Sequence, residues 1–161
     1  MSAPKHEVRD LGPRSALVAV GGAAGVSLRA FAEQSFETAG LPGWEAVMFC
    51  NLLGSFAIGI FFSALDPRFP RVFDARLLPA DLPGIARGRR LMASFSMTGL
   101  LGGLTTFSTF SLDSVELIAG ARFTEAAVSV VGSLLLGLGA FFLGVTFQHR
   151  RAARRHDDDS A

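Results

Sequence analysis

Four long apolar runs divide the chain, at about Ser15–Phe31, Trp44–Leu65, Leu91–Ala119 and Ala126–Phe147. The second and fourth hold about 22 residues each, roughly 33 Å as helix, which matches the hydrocarbon core of a bilayer. The third holds about 29 residues, roughly 43 Å if helical throughout, more than a straight span needs. A break or a strong tilt in the third run is therefore expected. No run alternates with period two, which argues against a β-barrel. The pattern predicts an all-α membrane protein with four transmembrane helices, the third broken near Gly102–Thr106.

The stretch from Gly99 to Ser111, Gly-Leu-Leu-Gly-Gly-Leu-Thr-Thr-Phe-Ser-Thr-Phe-Ser, marks where that break falls. Glycines loosen a helix, and hydroxyls inside a membrane have no water to turn to. Membranes tolerate such an interruption only where the freed backbone groups find partners or line a cavity. The segment reads as a broken helix whose backbone and side chains handle an ion.

Composition supports one membrane unit: 161 residues, half of them hydrophobic, with a mean hydropathy of +0.41. Lysines and arginines lie outside the apolar runs, apart from Arg29. The first run has a rival reading as a signal peptide, because Lys5, Arg9 and Arg14 precede it and Ala30-Phe31-Ala32 resembles a cleavage site. Arg29 is wrong for a cleavage region, and the Gly21/Gly25 pair suits a retained, closely packed helix. The single cysteine, Cys50, excludes a disulfide within the chain. His6, His149 and His156 lie in the tails and form no metal-ligand spacing. No nucleophile–base constellation is visible, and no nucleic-acid partner is expected. Glu33 to Gly43 reads as a short acidic link, 66–90 as a proline- and arginine-rich loop, and Gly120 to Glu125 as a tight connection. The resulting division is a polar N-terminal tail (1–14), a four-helix domain (15–147) and a disordered charged C-terminal tail (148–161).

Polar groups inside the runs follow helical spacing. Asn51, Ser55, Gly59 and Ser63 recur every four residues and share one face. A buried amide needs partners, so Asn51 either bonds a neighbouring helix or points a donor into a pathway. Ser129, Ser133, Gly137 and Ala140 with Gly144 form a small-residue seam that suits helix packing. Phe107 and Phe110 share a face if the downstream half of the third run is helical. Arg29 has three readings: snorkelling, pairing with Glu33 one turn on, or drawing anions to a pore mouth. Pairing is favoured.

With these residues in view, the chain resembles the CrcB/Fluc family of fluoride channels. The run from Gly21 to Arg29 is similar to the family's first-helix motif, Asn51-Leu-Leu-Gly-Ser55 with Gly59 to its second, and Gly99 to Ser111 to its third-segment signature. Gly132-Ser133 matches more weakly. The resemblance covers about Val18 to Phe147. It implies a passive channel exporting fluoride, built as an antiparallel dimer in the membrane lipid with pores at the subunit contacts. Carried over position by position, it implies Asn51 as a pore amide and Phe107 and Phe110 as rings that meet fluoride. It further implies Ser108, Thr109 and Ser133 as hydroxyls of the polar track. Gly102 and Thr105 take the place of residues whose backbone carbonyls hold a structural sodium ion at the dimer centre. Asp113 stands where an acidic residue follows the signature.

The chain departs from the family pattern in three respects. Ala46 and Val47 replace a Gly-Thr pair before the pore asparagine, Gly137 replaces a second serine, and Ser129 replaces a tyrosine. Charge is also lopsided. With four spans, the N-tail, the 66–90 loop and the C-tail share one side and carry thirteen of the fifteen lysines and arginines; Arg122 stands alone opposite. The positive-inside rule then places both termini in the cytoplasm, with the chain in the inner or plasma membrane. An antiparallel homodimer needs the chain inserted both ways, so a heterodimer with a related, oppositely biased subunit is favoured. Rival readings are a small exporter of organic cations, a non-conducting partner subunit and a membrane scaffold. The exporter wants an intramembrane carboxylate, and no span has one at its centre.

Overall fold

The computed structural model describes residues 5–65, 88 and 91–158. Among these the chain is helical throughout, with no strand. Helix α1 spans Lys5–Thr38 and α2 Gly43–Leu65. The third run gives α3, a π-helical stretch Ser94–Leu101 that continues as Gly102–Leu104, and then α4, Phe107–Ala119. Helix α5 is continuous through Phe123–Ala127, a π-helical stretch Val128–Gly132, and Ser133–Asp158. Three stretches are single helices long and apolar enough to cross a membrane: Leu11–Thr38, Gly43–Ser63 and Phe123–Arg151. The third apolar run is divided between α3 and α4, so the fourth span is made of two pieces.

Close contacts define the packing. Gly21 meets the backbone at Gly99, Gly25 the backbone at Leu104, and Arg29 the side chain of Thr109, so α1 runs parallel to α3 and α4. A β-carbon at Gly25 would overlap the Leu100 carbonyl oxygen, and one at Gly103 the Gly22 carbonyl oxygen. In the same way α2 runs parallel to α5: Gly59 abuts the Phe141 carbonyl and Gly144 the Phe56 carbonyl. Phe56–Phe147 and Phe62–Phe141 ring pairs, with centroids 6.1 and 6.0 Å apart, extend that seam. Between apolar helices in lipid there is little hydrophobic drive, so close backbone approach across small residues holds the pairs together. The buried centre is accordingly small: Cys50, Leu101 and Leu104, with Ala32, Ala57, Ile58 and Phe61 against them. Leu134, Leu135, Leu138 and Leu143 point outward.

The helix ends differ from the sequence expectation. The segment expected as a link from Glu33 is helical to Thr38, and the turn is confined to residues 39–42. Hydropathy marks the membrane depth, whereas the helix ends where its backbone is capped. Gly40 adopts a left-handed φ of +75°, and the Leu41 N–H returns to the Phe36 carbonyl at 2.9 Å, the closing bond of a Schellman turn. The connection after α4 closes alike, with Arg122 N–H on the Leu117 carbonyl at 2.8 Å and Ala121 at φ 57°. At the chain ends, α1 begins at Lys5 inside the expected N-terminal tail, and α5 runs to Asp158 through the tail expected to be disordered. Alanine and arginine favour helix there. The 66–90 loop, apart from Gly88, lies outside the described residues.

The glycine contacts give a matched pair of variants. Gly25→Ala is expected to destabilise the purified protein by about 1–3 kcal/mol through overpacking. Gly22→Ala, where a β-carbon meets nothing within 4 Å, is expected to stay within about 0.5 kcal/mol. Thermal unfolding in detergent compares the two.

Candidate functional site

The third span breaks at Thr105 and Thr106, whose backbones are extended (φ −83°, ψ 147° and φ −146°, ψ 127°). Gly102 stays helical at φ −65°, ψ −31°. The break therefore falls within the expected Gly102–Thr106 window, but the threonines open it. The glycines instead supply close contact with α1. Upstream, the Thr105 N–H and hydroxyl both donate to the Leu101 carbonyl, at 3.0 and 2.8 Å, which ends α3. Downstream, Thr106 caps α4: its hydroxyl accepts from the Thr109 N–H at 3.2 Å, as expected of threonine at an N-cap.

Asn51 of α2 closes the gap. The Thr106 N–H donates to Asn51 Oδ1 at 2.9 Å, and Asn51 Nδ2 donates to the Thr106 carbonyl at 3.2 Å. Because Thr106 N–H is a donor, the atom facing it must be the amide oxygen, which fixes the orientation of the side chain. Asn51 thus bonds a neighbouring segment, and its second N–H is left over from that clamp. Among the carbonyls that lose helical donors at the end of α3, two are accounted for by this exchange. Thr106 N–H, which would close on Gly102 C=O in a continuing helix, goes to Asn51. Thr109 N–H, which would close on Thr105 C=O, goes to the Thr106 hydroxyl. Gly102 is exposed on the single chain.

Most of the remaining candidate residues lie at the head of α4. Phe107 and Phe110 stack at 5.7 Å between centroids with planes tilted 40°, and Phe107 is 79% exposed. Ser108 is exposed beside them. The hydroxyls of Thr106 and Thr109 lie 3.3 Å apart. Arg29 Nη1 donates to Thr109 Oγ1 at 3.3 Å and to Glu33 Oε1 at 3.0 Å, so the favoured pairing with Glu33 is present and joined to the α4 entry. Asp113 and Thr109 line an open cleft of about 580 Å³ together with Glu33, Gln34 and Glu37. On α5, Ser133 Oγ is buried without a hydrogen-bond partner, and Ser129 is buried. Ala46 and Val47, which replace the expected Gly-Thr pair, are fully buried.

Thr106 was not singled out in the sequence, although it is the residue on which the break turns. Its signal was the hydroxyl three positions before Thr109 at the head of a helical run, an N-cap spacing. The sequence reading gives Glu33 only as a partner for Arg29 and Glu37 only as part of a link; their place on one helical face, four apart, is the clue to the cleft.

This fold and site define a multi-pass helical membrane protein organised about a broken span. A family model described as CrcB-like protein, Camphor Resistance (CrcB) matches residues 16–145. The chain is 35% identical over 135 residues to a Gluconobacter oxydans protein named fluoride-specific ion channel FluC, covering 80% of this chain and 79% of that one. A Thermus thermophilus protein of the same name is 37% identical over 135 residues, 81% of this chain and 91% of its own length. One from Rhizobium etli is 32% identical over 130 residues, 80% and 90% respectively. The chain belongs to the CrcB family.

Replacing Asn51 by alanine strands the Thr106 N–H and carbonyl. The expected loss is about 1–3 kcal/mol for each group left buried and unpaired. Faster amide hydrogen exchange at Thr106 and a lower unfolding temperature would register it, whereas wild-type values at both would show the clamp to be dispensable.

Proposed function

We propose that this chain is a subunit of a passive, fluoride-selective channel that lets fluoride leave the cytoplasm and so relieves its toxicity. The observation that carries this reading is the Asn51 clamp on the Thr105–Thr106 break, with the Phe107–Phe110 pair at the next helix entry. The relatives' names supply the anion.

The chemistry suits fluoride. A small, strongly hydrated anion is expensive to dehydrate and needs close donors in place of water. The spare Asn51 N–H and the hydroxyls of Ser108, Thr109 and Ser133 are such donors. Phenyl rings carry a positive edge, so Phe107 and Phe110 meet an anion edge-on without trapping it. Neutral donors and ring edges leave exit fast, since conduction needs binding weak enough to release.

A structural sodium ion fits the break. It would be held by the Gly102 and Thr105 backbone carbonyls, which lack helical donors, and a hard cation prefers such oxygen ligands. When bound, it would neutralise those carbonyls and join two subunits.

The working assembly in this reading is an antiparallel dimer, a heterodimer with a related subunit of opposite charge bias. The thirteen lysines and arginines on one side give every copy a single orientation, both termini cytoplasmic.

Liposomes holding the active assembly are expected to release fluoride and retain chloride. Phe107→Ile or Phe110→Ile is expected to cut fluoride efflux by about tenfold or more with assembly intact, because isoleucine keeps bulk and loses the ring edge. Chloride efflux comparable to fluoride would overturn the selectivity, and unchanged flux in both variants would make the rings packing alone.

Orientation has its own test. Cysteines placed at position 2 and within 120–125, labelled from each side of the membrane, are expected to report one orientation. The purified chain alone is expected to be inactive and to conduct with an oppositely biased relative. Mixed labelling together with efflux from the chain alone would establish a homodimer instead.

A further inference from the structure

Five polar residues join across three segments, four through their side chains and the last, Asn51, through the Thr106 backbone. Glu33 holds Arg29 at 3.0 Å, Arg29 reaches Thr109 at 3.3 Å, Thr109 lies 3.3 Å from Thr106, and Thr106 is clamped by Asn51. The series starts on α1, crosses the head of α4 and ends on α2. Arg29 and Glu33 are partly buried, their side chains 19% and 34% exposed. Arg29 Nε is buried with no hydrogen-bond partner in the single chain.

The hydrogens can be counted along this series. A guanidinium only donates, so Thr109 Oγ1 is an acceptor toward Arg29. Thr106 Oγ1 already accepts the Thr109 N–H, and its own hydrogen can go to Thr109 Oγ1. With both lone pairs of Thr109 so engaged, the Thr109 hydroxyl hydrogen is free to donate outward. The same Arg29 carries a full positive charge beside that hydroxyl. Left unpaired in a low-dielectric setting, such a charge would hold an anion tightly and slow its release. Glu33 lies one turn further along α1, on the same face, and offsets it.

We propose that Glu33 is a positioning and charge-masking residue for the anion path. It fixes Arg29 so that the guanidinium orients the Thr109 hydroxyl, and it cancels the charge that would otherwise turn this point into an anion trap. The inference rests on the channel reading above and adds to it a residue outside the pore signature. Glu37 and Asp113 line the same cleft as Glu33 and Thr109, and Glu33 is the carboxylate bonded to Arg29.

The test is fluoride efflux from liposomes holding the conducting assembly, measured over a fluoride concentration series. Glu33→Gln keeps the shape and removes the mask. Its half-saturating fluoride concentration is expected to fall at least about threefold and its maximal rate about tenfold, the signature of tighter binding with slower exit. The double variant Glu33→Gln with Arg29→Gln removes the unmasked charge, so half-saturation is expected to return to the wild-type value or above. Arg29→Gln alone is expected to lower the maximal rate without lowering half-saturation. Glu33→Gln with wild-type concentration dependence would overturn the proposal. Should Glu33→Gln fail to assemble, wild-type kinetics in Arg29→Gln would overturn it as well. Absence of fluoride efflux from the wild-type assembly would instead sink the channel reading, and this inference with it.

Discussion

The structure depends on one exchange of hydrogen bonds. At Thr105 and Thr106 the third span leaves the helix, and its backbone groups must find partners inside an apolar region. Asn51 provides them: a primary amide offers one acceptor and two donors on a neutral group, which matches a peptide N–H and C=O side by side. The Thr106 hydroxyl then restarts the helix as α4. Because Asn51 is uncharged, the break is closed without placing an ion in the membrane. Left over are carbonyls at the end of α3, Gly102 and Thr105 among them, and one Asn51 N–H, groups suited respectively to a cation and to an anion.

Around this point the helices are held by contact rather than by a large core. The glycines of α1 and α3 bring two backbones together where a single β-carbon would collide, and Gly59 and Gly144 do the same for α2 and α5. Gly54 plays a related part, since a β-carbon there would overlap the Thr105 methyl group. Close packing on both sides of the break keeps Thr105 and Thr106 where Asn51 reaches them. Few large side chains are buried, which suits a chain whose solvent is lipid.

Much of this was legible in the sequence, for identifiable reasons. The spans follow from run lengths, because bilayer thickness fixes helix length. The excess length of the third run and its hydroxyls announced a break. The four-residue spacing put Asn51 with Ser55, Gly59 and Ser63, and the Phe107–Phe110 spacing gave a ring pair that the structure forms. The rest depended on tertiary contact. Helix propensity says that glycine loosens a helix, yet Gly102 and Gly103 remain helical, and Gly103 packs against Gly22; packing overrode propensity. The N-cap spacing to Thr109 marks Thr106 in the sequence, but that Asn51 faces it is a tertiary contact no spacing reports. The helix ends overran the apolar runs because hydropathy reports depth in the membrane, whereas Gly40 and Ala121 report where the backbone turns.

The measurement that bears most directly on this account is fluoride efflux through the conducting assembly with Asn51→Asp. A carboxylate keeps the acceptor that the Thr106 N–H requires but has no donor for the Thr106 carbonyl, so assembly is measured beside efflux. It removes both amide donors and sets a negative charge at the break, which repels an anion at close range. The expected result is an intact assembly whose fluoride efflux has fallen by at least about tenfold. An intact assembly that releases fluoride at the wild-type rate would contradict the claim that the Asn51 clamp and the anion path are one site.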